Sequence, residues 1–290
     1  MSRQASQQGL SILFEMLRSF TTLARTLNLS RAVDELQSTR QTVRRHIALL
    51  EESRGEQLFV LEDRQYRLTD AGRRALPEAE DLLLRGESWL DSRLGHVGGL
   101  QQFSFDVDGP GNSYFYHLQQ HPLTRMWDSP RALLREGVQL WASSAGEIED
   151  PAFQAYRDHA MVFRLLNGQW LCTEVGQHSA FAEWFGWTWA KSTVGRTIEA
   201  LPGGGRYNLI ALQAYQELFQ GRGVRLDHVV TQMPHGPERI PRVIGFERLL
   251  MAFRYPDRSF ALVSVVQLTR DLEVLGADDG LMRQIYIEGA

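Results

Sequence analysis

The residues best suited to chemistry lie in one short stretch that carries cationic and amide side chains but no acidic group. Residues 36–50 contain three arginines and neither Asp nor Glu. An Arg side chain can bridge the O6 and N7 atoms of guanine, and a Gln side chain can bridge N6 and N7 of adenine. A nearby carboxylate would offset the free energy gained when arginines neutralise phosphates. The stretch therefore favours contact with duplex DNA through Thr39, Arg40, Gln41, Thr42, Arg44 and Arg45.

Hydrophobic periodicity predicts that this stretch belongs to the third of three short helices. Residues 11–26 place apolar side chains three and four positions apart, which is typical of a helix with one buried face. Asn28 or Ser30 can cap a second helix over residues 31–36. A third helix is expected from about residue 39 to residue 53. Its predicted buried positions are Val43, Ile47 and Leu50.

Two short apolar runs follow and predict a small β-hairpin, which completes the pattern of a winged helix-turn-helix. The runs cover residues 58–61 and 66–69 and flank a polar turn. The recognition helix of such a fold enters the major groove. Arg64 and Arg67 in the hairpin could reach a flanking backbone or minor groove. From charge alone, solvated arginines on an exposed helix face explain the pattern equally well.

Net charge leads to different conclusions for the whole chain and for its segments. The 290 residues carry a formal charge of −4, which by itself disfavours a nucleic-acid partner. Residues 1–76, however, hold 12 arginines against 9 acidic residues, whereas residues 77–95 hold 2 arginines against 5. Lys191 is the single lysine in the sequence. This uniform preference for Arg indicates genome composition, so Arg content alone does not predict phosphate binding.

Length and composition restrict the class of protein. At about 150 residues per domain, the length predicts two domains. A hydrophobic content of 43% excludes wholesale disorder, and a single cysteine excludes a disulfide-stapled scaffold. The sequence has neither an apolar run of about 18 residues nor a signal-like start, so we expect a soluble, cytoplasmic protein.

A long helix over residues 70–94 is expected to join the two domains. Leu76, Leu83 and Leu90 recur every seven residues, and Ala79 fills a neighbouring position. A heptad seam of this kind favours contact between helices of two subunits, so these four residues are the predicted dimer contacts. The alternative is a helix that packs on its own domain.

The N-terminal landmarks occur in the order and at the spacing of a known family over about residues 10–95. They are Leu17-Arg18-Ser19-Phe20, Ala24, Ala32, Leu36, Thr39, Val43, Arg45, Ile47, Leu50-Glu51-Glu52, Gly55, Leu58-Phe59, Arg64, Arg67-Leu68-Thr69 and Ala71-Gly72. This set resembles the DNA-binding domain of LysR-type transcriptional regulators, a winged helix-turn-helix family with a dimerising linker helix. The resemblance implies a homodimer that binds double-stranded DNA.

Three positions depart from the family pattern. Leu27-Asn28 stands where a Gly-Ser pair is usual, and Arg40-Gln41-Thr42 stands where a Gln-Pro-Ala run commonly opens the recognition helix. Arg44 occupies the position of the usual Ser. The resemblance therefore implies the mode of DNA binding but not the operator sequence.

The second half of the chain predicts an antiparallel sheet with helices, so the fold class is α+β. A glycine-rich linker, which could include one strand at 102–107, is expected at 95–111, and a hairpin is expected at 160–175 around Asn167-Gly168. Helices and strands are expected in the order that follows the chain: helices 114–120, 131–143, 178–186 and 206–220, and strands 225–233, 243–255 and 259–268. This arrangement predicts five antiparallel strands with helices on one face. The domains are residues 1–69, 70–95 and 96–290.

Residues 96–290 do not show the alternating strands and helices of the usual LysR effector domain. Residues 125–268 instead resemble a PAS-type sensor domain, in which a hairpin is followed by helices and a three-strand meander ending near Leu268. The resemblance implies a domain that senses a ligand, a signal or a partner. Candidate partners of the chain are thus DNA, a second copy, RNA polymerase or a small effector, and a membrane partner is not expected.

Aromatic residues cluster between positions 170 and 189. In a sensor fold they could line a cavity for a planar or apolar ligand. Packing in the core or at a dimer interface is the simpler interpretation, because aromatic residues dominate both. The candidate ligand-binding residues are Trp170, Phe181, Trp184 and Trp187.

Signals for catalysis or metal binding are weak, so neither an enzyme nor a metal or cofactor site is predicted. Cys172 lies in a predicted strand, where a cysteine is usually a small buried hydrophobe. His117 and His121 have the spacing of a helical metal pair but lack an acidic partner, which favours two solvent-facing histidines. The alternative function is a protein-interaction module with incidental DNA affinity.

Overall fold

A computed structural model describes most of the chain. The residues described are 12–62, 65–90, 94–97, 100–109, 112–128, 132–166, 168–201, 204–235, 240–274, 277 and 279–286. The chain divides into two compact units, Met1–Glu87 and Ser88–Ala290. Among the helices in these ranges, none has the length and apolar character needed to cross a membrane.

The first unit contains three helices, a hairpin and a long helix, in the predicted order. Asn28 caps the second helix, since its side chain accepts hydrogen bonds from the backbone N–H groups of Ser30 and Arg31. Gly55 ends the third helix with φ +70°, a conformation that favours glycine. The elements are α1 Leu13–Thr26, α2 Leu29–Glu35, α3 Arg40–Arg54, β1 Phe59–Glu62, β2 Gln65–Leu68 and α4 Asp70–Leu90.

One apolar core holds the first unit together. Phe20 of α1, Val43 of α3 and Leu58 before β1 are almost completely buried in it. Burial of a side chain of this size stabilises the fold by about 1.5–3 kcal/mol relative to exposure. The Phe20 and Phe59 rings meet edge to face with centroids 5.6 Å apart, so the hairpin is fastened to α1. The core thereby fixes the orientation of α3.

The second unit is an antiparallel sheet with helices and a C-terminal segment. Its strands lie in the order β3-β4-β5-β8-β9-β10-β6-β7, and every pair of neighbours is antiparallel. The strands are β3 Leu94–Val97, β4 Leu100–Gly109, β5 Asn112–His121, β6 Ala160–Leu166, β7 Gln169–Val175, β8 Val224–His235, β9 Ile240–Arg254 and β10 Phe260–Leu268. The helices are α5 Arg125–Asp128, α6 Ala132–Ser143, α7 Pro151–Gln154, α8 Ala180–Phe185, α9 Trp187–Lys191, α10 Gly204–Gly221 and α11 Asp279–Arg283.

The structure confirms the predicted hairpin, the three-strand meander and the helices of residues 131–143 and 206–220. The prediction of five strands is wrong. Residues 95–111 are not a linker and 114–120 are not a helix, because β3, β4 and β5 extend the sheet to eight described strands. The register pairs Leu118 with Phe103 on one side and with Val229 on the other. Residues 114–120 are thus part of the second arm of a hairpin with β4, and β5 also pairs with the distant strand β8.

The prediction of helices on one face of the sheet is also wrong. Alternate residues of β9 enter two different cores: Leu249 and Met251 pack with α6, whereas Leu250 and Ala252 pack with residues of α10. A strand buried on both faces is a continuous apolar run rather than an alternating one. At the far end of the α6 face, the C-terminal segment packs Val274 and Ile285 on Val230.

Candidate functional site

The polar residues predicted to contact DNA form the outer face of α3. Thr39, Arg40, Gln41, Arg44 and Arg45 are exposed and Thr42 is half-buried. Val43, Ile47 and Leu50 are buried on the opposite side, as their spacing predicts. The helix is therefore amphipathic: one side packs in the core of the domain, and the opposite side carries the positively charged residues.

Local hydrogen bonds hold the first turn of α3. The Thr39 hydroxyl accepts a hydrogen bond from the backbone N–H of Thr42 at 3.1 Å, so Thr39 is the N-cap. The Arg40 guanidinium donates to the Ser30 hydroxyl at 2.9 Å and links α3 to α2. The first turn contains no acidic residue. Its free N–H groups and the positive end of the helix dipole therefore favour an approaching phosphate.

Arg44 and Arg45 lie one helical turn further along the same face. Neither forms a hydrogen bond or an ion pair with any residue in the part of the chain that the structure describes. Exposed guanidinium groups without a competing carboxylate can donate two parallel hydrogen bonds to a guanine edge or a phosphate. These two side chains are therefore the strongest candidates for base or backbone contacts.

The hairpin contributes less positive charge than the sequence predicts. The Glu51 carboxylate accepts hydrogen bonds from the backbone N–H groups of Leu58 and Phe59, at 2.8 and 3.1 Å, and so fixes the hairpin to the end of α3. Arg67 pairs with Glu62 at 3.0 Å, with both side chains exposed. The Glu62 carboxylate thus partly offsets the Arg67 charge. Arg64 lies outside the described residues.

Three of the four predicted dimer contacts instead face the core of their own domain. Ala79 and Leu83 are buried there, and Leu76 is half-buried against the same cluster. The ring of Phe14 approaches Gly86 so closely that an added Cβ would lie 2.5 Å from it, which shows how tightly α1 covers this side of α4. Leu90 is exposed at 69%. Among the α4 side chains whose placement the structure describes, Leu82, at 53%, and Trp89, at 69%, are also apolar and exposed.

The four candidate ligand-binding aromatics have three different environments. Trp170 is a core residue, buried edge-on against Tyr215 and Phe260 with centroids 5.6 and 5.9 Å apart, so its predicted ligand role is wrong. Trp187 is partly exposed on α9, away from any described cavity wall. Phe181 and Trp184 do line a cavity of about 140 Å³ between α8 and the sheet. Sequence clustering alone could not separate these environments.

A buried charge network that sequence reasoning missed lies beside this cavity. Asp227 accepts from the Arg225 Nε at 2.7 Å and from the Arg248 Nη2 at 2.8 Å. Arg225 also pairs with Glu217, whose carboxylate accepts from Gln101 at 3.1 Å. Burial opposes the positive charge, but Tyr116, Asp227 and Tyr215 outweigh it, so the pKa of Arg248 is raised. Charged residues inside otherwise apolar strands are the sequence signal that could have revealed this network.

The two histidines of the possible metal pair lie on a strand, not on a helix. His117 Nδ1 lies 3.0 Å from the Ser104 hydroxyl, and the half-buried His121 ring stacks on His228 with centroids 4.0 Å apart. The prediction that both face solvent is therefore wrong, because the His228 ring and the Glu273 carbonyl, 2.8 Å from Nε2, cover His121, and His117 is half-buried. Within the described ranges, no group of three His, Cys, Asp or Glu side chains could hold a metal ion.

The cysteine is a buried core residue. Cys172 has no exposed surface, and burial raises the pKa of its thiol to about 11. A raised pKa leaves less of the reactive thiolate at neutral pH.

We therefore expect a thiol reagent at about pH 8 to react with Cys172 at least about a hundredfold more slowly in the folded chain than in the chain unfolded by guanidinium chloride. Equal rates, measured by absorbance of the released chromophore, would contradict the buried position.

Comparison with known proteins places the first unit in a family. Residues 14–73 match the family model of bacterial regulatory helix-turn-helix proteins, lysR family. The chain is 35% identical over 108 residues to the HTH-type transcriptional activator AllS of Klebsiella pneumoniae, which covers 37% of each chain. It is 41% identical over 78 residues to AllS of Salmonella typhimurium, which covers 27% of this chain and 24% of that one.

A solved structure also matches a short part of the chain. The oxidized form of Corynebacterium glutamicum OxyR shares 29% identity over 27% of this chain and 26% of its own, with a TM-score of 0.27. This chain thus matches less than two fifths of the length of these relatives. The family match covers all three short helices and the hairpin. Residues 14–73 therefore form a LysR-type helix-turn-helix DNA-binding domain.

Proposed function

We propose that this chain is a sequence-specific DNA-binding transcription regulator whose α3 reads the major groove. The observation that carries the proposal is the outer face of α3, which exposes Arg44 and Arg45 with no described acidic partner, in a domain of the LysR type. The two AllS relatives are transcriptional activators by name. A positive surface of this kind binds duplex DNA with an affinity that falls steeply as salt rises, because counterions are released.

Gel-shift titrations of the full chain test this function. We expect binding to duplex DNA that weakens as salt increases and that is tighter for sites recovered by genomic footprinting than for random duplex. Binding to these sites should exceed random binding by about a thousandfold or more. Absence of salt-sensitive duplex binding would reject the proposal and favour a protein-interaction module instead.

We further propose that the regulator is a homodimer held in part by α4. Leu82 and Trp89 of α4, seven residues apart, are exposed, whereas Ala79 and Leu83 of the same helix are buried in the core of their own domain. Large exposed apolar side chains close together favour association with another surface. A two-fold dimer would present two copies of α3 to two half-sites of DNA.

Replacing Leu82 and Trp89 together by Ser should weaken the dimer. Each large side chain contributes about 1.5–3 kcal/mol when it is buried, and two-fold symmetry counts each contact twice. We expect the dissociation constant, measured by analytical ultracentrifugation, to rise at least about a hundredfold. Leu61→Ser removes a comparably exposed leucine of β1 and serves as the control. An unchanged dissociation constant in the double variant would rule out this surface.

The second unit is proposed to be a PAS-like sensor. Support comes from the order of its elements: the hairpin β6–β7 is followed by helices and then by the meander β8–β9–β10. The meander returns to the hairpin, since β10 pairs with β6. Helices on the face of α8 and α10 enclose a cavity, which is where a domain of this architecture can hold a small ligand.

A further inference from the structure

We propose that the cavity beside α8 binds one small, uncharged molecule with a single aromatic ring. The walls come from β6, β8, β9 and β10 and from α8, α10 and residues 198–201. Most of the lining is aromatic or aliphatic, and the deepest residues are almost fully buried. The residues that define the apolar wall are Phe163, Ile244, Phe246, Ile198, Leu201 and Trp184.

The size of the cavity sets the size of the ligand. Its volume is about 140 Å³. A dry cavity of about 150 Å³ with aliphatic and aromatic walls holds one benzene molecule. Water gains little there because it needs two to four polar partners, whereas a flat ring keeps contact with the aromatic walls. The volume therefore fits a single ring.

The charge at the cavity wall argues against an anionic ligand. Arg248 is the permanently cationic residue among the described lining, and it is buried. Both its Nε and its Nη2 face Asp227, at 3.3 and 2.8 Å. The guanidinium charge is thus already balanced, and burial of a carboxylate beside Asp227 would be repulsive. Tyr215 and Ser264 lie on the same wall and can accommodate one hydroxyl or carbonyl group.

The cavity opens where its lining is less buried. Phe181, Phe185, Met233, Val266 and Leu268 are half-buried, so the entrance lies among them. Phe181 and Phe185 belong to α8, a helix of six residues. The Trp184 Nε1 donates to the Pro234 carbonyl at 3.0 Å and ties α8 to the end of β8. A ring that enters between α8 and the sheet would contact Phe181 and Phe185 of this helix, and the consequence for regulation rests on the proposed sensor function.

Calorimetric titration of the full chain with toluene, phenol and benzoate tests the site. We expect toluene and phenol to bind with one molecule per chain and benzoate to bind at least tenfold more weakly. Val266→Phe places a ring in the entrance and should weaken toluene binding at least tenfold. Val194→Phe, at a 47% exposed position outside the lining, is the matched control and should bind toluene as the unmodified chain does.

Several outcomes overturn the proposal: no saturable binding of toluene and phenol, equal binding of benzoate, or unchanged toluene binding in Val266→Phe. Leu268→Phe, also at the entrance, replaces Val266→Phe if circular dichroism shows that the latter is unfolded. Gel shifts run in parallel separate the two proposals. If the unmodified chain does not bind duplex DNA, the proposed function is rejected but the ligand site is not. If it binds duplex DNA but neither toluene nor phenol, the ligand site is rejected but the proposed function is not.

Discussion

Replacing Arg40, Arg44 and Arg45 together by Ala is expected to lower the affinity for specific DNA at least about a hundredfold. A side chain that reads a base contributes about 1–3 kcal/mol, and three neighbours on one face act together. Each lost phosphate contact should also reduce the slope of log affinity against log salt by about 0.9. Gel shifts at several salt concentrations measure both quantities. The fold should survive, because all three side chains are exposed.

Arg54→Ala provides the matched control for this experiment. Arg54 is an exposed arginine at the other end of α3, where it lies 3.6 Å from Glu78. Arg54→Ala removes one positive charge, as each substitution of the triple variant does, but it does not change the arginines in the first turns of α3. We expect its effect on specific affinity to be less than about tenfold. Unaltered binding in the triple variant, or an equal loss in Arg54→Ala, would mean that another surface reads the DNA.

The second large effect is expected for Asp227→Ala, which should destabilise the second unit by about 3–5 kcal/mol. Asp227 has no exposed surface and accepts hydrogen bonds from both Arg225 and Arg248. Its removal leaves Arg248 buried without this partner, while Arg225 keeps Glu217. The free-energy cost of leaving the Arg248 charge buried and unpaired is larger than the net contribution of the ion pair. The stability lost should therefore exceed that of an ordinary hydrogen bond.

Denaturant unfolding followed by near-ultraviolet circular dichroism measures this effect, with two transitions allowed because the chain has two units. The control is Asp257→Ala. Asp257 lies 2.8 Å from Arg164 with its side chain 60% exposed, and an exposed pair of this kind contributes much less to stability than a buried one. A change below about 1 kcal/mol in Asp227→Ala would show that the network is not a structural element of the unit.

The charge network also marks the limit of sequence patterns in the second unit. Arg225 and Asp227 look like solvent-facing residues, because charged side chains in a strand usually point to water. They are buried since β8 lies in the interior of the sheet and α10 covers this face. The same covering of both faces makes residues 249–253 of β9 and 260–263 of β10 continuous apolar runs. Such strands lack the alternation of apolar and polar residues that marks a sheet with one buried face, so they give no support to helices on one face only.

The sequence by itself determined the first unit, since its signals are local. Apolar spacing sets the buried sides of α1 and α3, Asn28 caps α2, and Gly55 ends α3. The tertiary structure alone decided which apolar residues remain exposed on α4. The heptad of Leu76, Leu83 and Leu90 has one spacing, yet α1 buries Leu83 and leaves Leu90 exposed.

Tertiary structure also decided the extent of the sheet. β5 pairs with the preceding strand β4 and also with β8, where Leu118 lies opposite Val229, and no local pattern records this second, distant partner. Tertiary structure likewise places Trp170 in the core and Phe181 and Trp184 at the cavity, although the three residues are close together in the sequence. Helix periods and caps are encoded within a few residues of each other. Strand partners, covered faces and cavities depend on segments that meet only when the chain folds.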